Sequence, residues 1–263
     1  MVREEETMPI AVACYKWVLD EDEIRIGNDL SVDLEKAHGK ISLFDRSAIE
    51  AATRLAESHA EFTPVALTYG TDDTEKSLKD ALSRGLEVGY WVTSPDAAES
   101  DGRATAKALA AAIARIDDVA LVFCAEGASD TYARQVGPRL GVELGWPLVT
   151  SVLSFEVDGD SVVATRKLED TVQTVRVKCP AVICVLQEGF EPRAAGLKAI
   201  MAANKKPKEH IELADLGVDA AGLSKRVALK GFSMERKHIV IAEEDVGLAA
   251  RELAGALRKE GVL

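Results

Sequence analysis

The sequence lacks most of the short motifs that mark an enzyme active site or a metal centre. Its four cysteines form no CxxC pair, which argues against a zinc or iron–sulfur site. Neither GxGxxG nor GxxxxGK[ST] occurs, so the common dinucleotide fingerprint and the P-loop are excluded. GxSxG is also missing, which removes the nucleophile elbow of the hydrolases. No run of about 18 apolar residues is present, so no membrane-spanning helix is predicted.

Positive charge is scarce as well. The chain has 32 Lys and Arg against 44 Asp and Glu, a formal net charge of -12. Non-specific nucleic-acid binding is therefore not expected, because it needs a surplus of cations to neutralise phosphates. The four histidines are scattered without the spacing of a metal site or a catalytic triad. Residues 1–7 lack the basic-then-apolar layout of a signal peptide, so residues 1–8 are interpreted as an N-terminal extension.

The cysteines themselves fit a structural role. Cys14 and Cys124 each end an apolar run, and Cys184 lies inside one. Buried free thiols persist in a reducing compartment, so we expect a cytoplasmic protein.

Apolar runs and helical patterns alternate through the first half of the chain. The predicted strands are 9–15, 64–69, 88–92, 119–124 and 148–155. One predicted helix has Asp45 as its N-cap, and the others cover 73–83, 104–116 and 132–140. This alternation is typical of an α/β, Rossmann-like fold, a mostly parallel sheet with helices on both faces.

The second half changes character and predicts an antiparallel extension of the sheet. Segments 149–157, 161–167 and 173–177 are rich in β-formers, and Asp158-Gly159-Asp160 is a hairpin signal. A strand at 180–186 and a helix within 191–206 complete the predicted α/β nucleotide-binding domain, residues 9–206. Residues 207–263 are interpreted as a polar C-terminal arm, with a possible strand at 238–242 and a closing helix at 246–257.

One strand-to-helix loop stands out as a ligand site. Ligands of open parallel sheets bind beyond the carboxyl ends of the strands. The segment Ala125–Gly137 follows such a strand and contains Gly127, Ala128 and Ser129, which allow close approach of the backbone to a ligand. Asp130 and Thr131 are expected to cap the next helix, whose free N–H groups favour a phosphate. An ordinary connecting loop explains the same pattern about equally well.

From about Pro9 to Val218, the chain resembles the β subunits of electron-transfer flavoproteins. The resemblance rests on several motifs in order: CYKWVLD at 14–20, KISLFDRSAIEAA at 40–52, the loop 127–137 with Asp130 and Gln135, Glu191-Pro192-Arg193 followed by Leu197 and Ala199-Ile200-Met201, and Asp215-Leu216-Gly217. CYKWVLDEDEI, the run 40–42 and SDTYARQVG resemble in particular the Fix-type branch, which is linked to anaerobic carnitine or acyl-CoA reduction.

The resemblance implies an electron carrier that forms a heterodimer with an α subunit and has no catalytic residues of its own. It implies an FAD shared with α, and an AMP or a second FAD in the β subunit. The positions it assigns to that nucleotide are Cys14, Ser42, Leu43, Phe44, Asp45, Tyr69, Ala125, Glu126, Gly127, Ala128, Ser129, Asp130, Thr131, Tyr132, Ala133, Arg134, Gln135 and Val136. A docking segment for a partner acyl-CoA dehydrogenase or reductase is assigned to Glu191, Pro192, Arg193, Leu197, Ile200 and Met201, and the arm is assigned to contacts with α.

The sequence also departs from the family pattern. Leu19 replaces the usual Pro, and Ser42-Leu43 replaces Asn-Pro. Ala125-Glu126-Gly127 stands where a Gly-Lys/Arg-Gln run is common, which removes a basic phosphate partner and adds a carboxylate. Phe190 replaces the usual Asn or Ser before Glu191. These departures leave the choice between AMP and FAD open.

Two other classes of function remain as alternatives. An ATP pyrophosphatase or adenylating enzyme needs a phosphate-gripping Ser/Gly-rich loop after the first strand, and segment 14–20 is a poor candidate for one. A stand-alone adenine-nucleotide-binding module would work without an α subunit, and the long tail argues mildly against it.

Overall fold

The computed structural model describes residues 8–233 and 236–263, which form two compact units. The first unit contains residues 8–25 and 33–229, and the second contains 26–32 and the described part of 230–263. The strands in chain order are β1 Ile10–Cys14, β2 Trp17–Leu19, β3 Arg25–Ile26, β4 Val32–Asp33, β5 Gly39–Ile41, β6 Thr63–Gly70, β7 Val88–Thr93, β8 Val119–Ala125, β9 Leu148–Asp158, β10 Ser161–Lys167, β11 Val172–Lys178, β12 Ala181–Val185 and β13 Lys208–Glu212. The helices are α1 Asp45–Ser58, α2 Leu78–Ser83, α3 Gly102–Ile113, α4 Val136–Leu144, α5 Leu197–Ala203 and α6 Val246–Lys259.

The first unit is built on one nine-stranded sheet with the order β11-β10-β9-β12-β8-β1-β6-β7-β13. The strands from β9 to β13 in this order pair in parallel, while β10 and β11 extend the β9 edge in antiparallel pairing. The β9–β10 hairpin turns at Gly159, whose φ of 62° is one that glycine adopts without strain. The predicted α/β fold, mostly parallel with an antiparallel extension, is therefore confirmed.

Helices cover both faces of the sheet because successive strand residues point in opposite directions. In β1, Ala11 and Ala13 join an apolar cluster that includes residues of α1 and α2. Val12 and Cys14 join a second cluster that includes residues of α3 and α4. The central strands are thus buried on both faces of the sheet, which explains why their sequences are continuous apolar runs.

The predicted helix starts at Asp45 and Tyr132 need correction. Asp45 is the first residue of α1 rather than its N-cap, and Phe44 occupies the cap position without a side-chain hydrogen bond. Helix α4 begins at Val136, because Tyr132 and Arg134 have φ values of 47° and 55°, which are incompatible with a right-handed helix. Asp130 and Thr131 therefore cap no helix.

The predicted C-terminal arm also differs in part from the structure. Its first residues form β13, which pairs in parallel with β7 and completes the sheet edge. The strand expected at 238–242 does not form, whereas the closing helix is confirmed as α6. Asp245 caps α6 by accepting the Leu248 N–H at 2.8 Å.

A segment after β13, residues 215–224, runs along the exposed side of α3 and is called the α3 strap here. Arg103 donates to the Ala221 carbonyl at 2.8 Å, and Lys107 donates to the Asp219 carbonyl at 3.4 Å. Asp101 holds both elements: one carboxylate oxygen caps α3, and the other accepts from the backbone N–H groups of residues 223 and 224 at 2.8 and 3.0 Å. These hydrogen bonds hold the pKa of Asp101 well below its usual value, with the Ala104 N–H as the largest cause.

In the described residues, no helix is both long enough and apolar enough to cross a membrane.

Candidate functional site

The strand order reverses at the centre of the sheet, and this reversal places a cleft. From β1 the chain adds β6 and β7 on one side, and then returns to place β8 on the other side of β1. The loops that leave the carboxyl ends of β1 and β8 diverge, which opens a crevice in folds of this kind. A cleft is present there, between segments 14–16, 97–109 and 124–137. We call it the switch-point cleft.

Most of the nucleotide residues assigned from the sequence line this cleft. They are Cys14, Asp45, Tyr69, Ala125, Glu126, Gly127, Ala128, Thr131, Ala133, Arg134, Gln135 and Val136. The others, Ser42, Leu43, Phe44, Ser129, Asp130 and Tyr132, are not among its lining residues. Several of these brace the loop from outside: the Ser42 hydroxyl accepts the Ser129 N–H at 3.1 Å, and the Phe44 ring lies 4.8 Å from the Tyr132 ring.

The wall contributed by the start of α3 was not predicted from the sequence. Ser100, Asp101 and Gly102 line the cleft, and the Ser100 hydroxyl lies 2.9 Å from the Tyr69 hydroxyl. Asp101 followed by an Ala-rich run is an N-cap signal, so this helix start could have been found from the sequence. Lys16 also lines the cleft and was not assigned to the nucleotide, whereas Gly137 ends the loop that was singled out.

Gly137 allows α4 to lie directly on the sheet at the cleft floor. A Cβ atom at this position would lie 2.3 Å from the Cys184 sulfur, far closer than two such atoms approach. Any larger residue here would push away the first turn of α4 and the loop before it.

Both cations of the cleft are paired with carboxylates. Lys16 binds Asp130, and a guanidinium nitrogen of Arg134 lies 3.7 Å from the Glu126 carboxylate. Arg134 also covers the Tyr132 ring, with its Cζ 4.6 Å from the ring centroid. The Tyr132 hydroxyl is hydrogen-bonded to Glu126, and burial together with this contact raises the pKa of Tyr132.

Asp45 is a buried carboxyl group at the cleft wall, only 7% exposed. It accepts the backbone N–H of Lys16 at 3.1 Å. Burial raises its pKa from 3.8 to about 7, because desolvation disfavours the charged form more than its hydrogen bonds favour it.

Three thiols form a row beneath the cleft on neighbouring strands. Cys14, Cys124 and Cys184 are buried on β1, β8 and β12, and Cys184 pairs in register with Cys124. The neighbouring Cys14 thiol and burial raise the pKa of Cys124 well above its usual value, and burial does the same for Cys184. Protonated thiols are poor nucleophiles, so these two cysteines serve packing. In residues 8–233 and 236–263, no three His, Cys, Asp or Glu side chains are grouped to hold a metal ion.

The assigned docking residues include an exposed apolar pair and a half-buried arginine that forms ion pairs. Leu197 and Met201, on α5, are 75% and 65% exposed, and Ile200 between them is half-buried. Arg193 instead points inward, where its guanidinium reaches Glu50 at 2.7 Å and Glu57 at 2.5 Å.

This ion cluster fixes the chain that leads into α5. The Glu50 side chain is only 4% exposed, and burial alone would raise its pKa. Hydrogen bonds from Arg193 and Arg54 outweigh burial, so its pKa lies below the usual value. Arg54 also donates to the Glu191 carbonyl at 3.2 Å, while Pro192 lies between these two tethered residues.

Residues 29–216 match the family model described as the electron transfer flavoprotein domain. The match covers more than half of the chain and includes every strand of the nine-stranded sheet except β1, as well as the loop between β8 and α4.

Proposed function

The chain belongs to the electron transfer flavoprotein family, and on that premise we propose that it is the β subunit of a heterodimeric electron carrier. Proteins of this family carry electrons rather than catalyse a reaction on a substrate. The switch-point cleft supports the proposal most strongly. Most of the residues that the resemblance assigns to the nucleotide of the β subunit lie along its walls.

The small residues of the loop between β8 and α4 suit the binding of an adenine nucleotide in the cleft. Gly127 and Ala128 line the cleft, and residues this small allow a ligand to approach the backbone closely. An AMP or a second FAD would lie against this loop, with Tyr69 and Ser100 on the opposite wall. A further FAD, shared with the α subunit, supplies the electron-transfer chemistry, and protein groups hold and orient it.

Helix α5 supports a transient docking site for a partner flavoenzyme. Leu197 and Met201 present apolar side chains to solvent on a segment that Arg193 ties to α1. An exposed apolar anchor on a rigid base suits weak, specific contacts. We propose an acyl-CoA dehydrogenase or reductase as the partner, in keeping with the Fix-type resemblance.

We also propose that the arm, residues 207–263, contacts the α subunit, with β13 as its root in the sheet. Several large apolar side chains beyond the strap are exposed, among them Val227 at 96%, Phe232 at 81% and Val240 at 83%. Such side chains gain most from burial against another protein. The arm is expected to be cleaved by proteases in the isolated chain and protected in the complex. Equal cleavage in both would contradict this role.

The free thiols support a reducing compartment such as the cytoplasm. One other candidate function, a stand-alone adenine-nucleotide-binding protein without a redox role, is favoured by the fact that the cleft lies entirely within the first unit.

The test is to purify the chain with its α subunit, denature the complex and quantify the released nucleotides. One FAD and one AMP per heterodimer would indicate a one-flavin carrier. Two FAD and no AMP would place a flavin in the switch-point cleft. The absence of flavin, or of a stable complex, would refute the proposed function and leave the stand-alone nucleotide binder.

A further inference from the structure

Helix α5, which carries the proposed docking residues, is too short to be stable by itself. It has seven residues, and Gly196 at its N-cap position has no side chain that could accept a helix N–H. Ala203 at its end is buried, whereas Leu197 and Met201 are largely exposed. Helices of fewer than about 12 residues are marginal in water without tertiary packing. The residues on either side of α5 must therefore hold its conformation.

The chain is anchored in the core just before the docking segment. Phe190 is 5% exposed, and its ring stacks on the ring of Phe155 in β9 with the two centroids 5.7 Å apart. Arg54 of α1 donates to the carbonyls of residues 189 and 191, at 3.4 and 3.2 Å. The backbone on both sides of the buried ring is thus tied to α1.

A second anchor follows α5 directly. The Lys206 ammonium donates to the Leu86 carbonyl at 2.7 Å and to the Leu82 carbonyl at 3.2 Å, and it lies 3.3 Å from the Glu87 carboxylate. Leu82 belongs to the last turn of α2, where carbonyls lack helical donors and favour a cation. All three ammonium hydrogens can be used in these contacts. Lys206 therefore ties the end of α5 to the end of α2.

Two anchors of this kind prepare a docking surface in advance. A segment that is already ordered loses little conformational entropy when a partner binds, which leaves more of the contact energy for affinity. Without the anchors, α5 would be ordered only for part of the time. The apparent affinity for a partner would then fall by the fraction of time for which the docking conformation is populated.

We infer that Phe190 and Lys206 are positioning residues, which hold α5 in its docking conformation before a partner flavoenzyme arrives. The inference rests on the proposed function, because it assumes that α5 docks a partner. It assigns the order of the docking helix to two side chains that need not touch the partner themselves.

Amide hydrogen exchange of the full chain tests the Lys206 anchor without any partner. Lys206→Met removes the ammonium and keeps most of the side-chain length. The amides of α5 should then exchange at least about tenfold faster, because hydrogen bonds from a charged group are lost from a marginal helix. Lys205→Met is the matched control, since it removes the same charge from the adjacent, exposed position and should leave the exchange of α5 unchanged.

The Phe190 anchor is tested in the same way. Phe190→Ser should also accelerate exchange in α5. Phe62→Ser is its matched control, because Phe62 is similarly buried at 7% exposure but lies between α1 and β6. This control should lower the melting temperature and leave the exchange of α5 unchanged.

Electron-transfer kinetics then connect the anchors to docking. The complex with the α subunit is titrated against a purified acyl-CoA dehydrogenase that has been reduced by its acyl-CoA substrate. Lys206→Met should raise KM about twofold or more at constant kcat, because a saturating partner still captures the docking conformation. Lys206→Arg keeps the charge and the donors and should restore both KM and the exchange of α5.

Unchanged exchange of α5 in Lys206→Met, or an equal acceleration in Lys205→Met, would overturn the inference. So would a Phe62→Ser variant that accelerates α5 as much as Phe190→Ser does. If Leu197→Ala raises KM and Lys206→Met does not, the positioning role fails and the proposed docking site stands. If neither substitution changes KM, the proposed docking site fails as well.

Discussion

Replacing Asp45 with Asn should stabilise the protein, even though Asp45 lies in the candidate site. The carboxyl group is 7% exposed, and its pKa in the folded protein is about 7 against an ordinary value of 3.8. Between these two pH values the folded state keeps a proton that the unfolded state releases. The free energy of unfolding therefore falls as the pH rises from about 4 to about 7, and the full cost of burying the charge is present above pH 7.

The magnitude follows from the size of the pKa shift. Each pKa unit corresponds to 1.36 kcal/mol, so a shift of about 3 units gives a cost of about 4 kcal/mol at pH 8. At pH 5.5 the cost is about 2 kcal/mol, because only part of the titration has occurred. Asn is never charged, and its side-chain oxygen can still accept the Lys16 N–H that Asp45 accepts now.

The assay is urea unfolding at pH 5.5 and at pH 8, monitored through the fluorescence of the three tryptophans. Asp45→Asn should be more stable than the wild type at both pH values, with a difference that grows by about 2 kcal/mol from the lower to the higher pH. Asp170→Asn, at an exposed position, controls for the general effect of removing one negative charge from an acidic chain. A stability difference that does not change with pH would refute the reasoning.

Three further substitutions test the roles of other residues. Arg193→Ala should lower the free energy of unfolding by about 3 kcal/mol, because it leaves the buried Glu50 carboxylate without its main partner. Urea unfolding measures this loss of stability, and a loss below about 1 kcal/mol would contradict the prediction. Leu197→Ala should slow electron transfer to the partner dehydrogenase without lowering the melting temperature, whereas Val142→Ala, an equally exposed apolar residue on α4, should leave the transfer rate unchanged. If Leu197→Ala prevented assembly with the α subunit, the docking role would be wrong. Asp101→Asn should increase amide hydrogen exchange in the α3 strap and in the first turn of α3, since Asn has one acceptor oxygen where the carboxylate uses two; unchanged exchange would show that Asp101 does not hold the strap.

The parts of the fold that could be predicted are those where burial controls the residue pattern. The central strands are covered on both faces, so the sequence of each strand is an apolar run that can be recognised without knowledge of its neighbours in the fold. Strand β13 escaped prediction because it lies at the sheet edge, where only Ile211 of its five residues is buried. The start of α4 was misplaced because the positive φ values of Tyr132 and Arg134 leave no trace in an apolar pattern.

The loop after β8 could be predicted as part of the candidate site, but the opposite wall at the start of α3 could not. Gly127 and Ala128 follow a predicted strand, which locates one side of the cleft. Asp101 belongs to the connection between β7 and α3, and nothing in its local sequence indicates that it meets the loop after β8. The pairing of each cleft cation with a carboxylate is likewise a property of the folded chain alone.

The reversal of strand order at β1 has a consequence for how the protein acquires its site during folding. The cleft walls come from segments near residues 15, 45, 100 and 130, which meet only after β6, β7 and β8 have all taken their places beside β1. Contacts between segments so far apart in the chain form late, because long loops must close first. No partly folded chain that lacks β8 can offer this binding surface, so a nucleotide in the cleft stabilises the finished sheet and no earlier species.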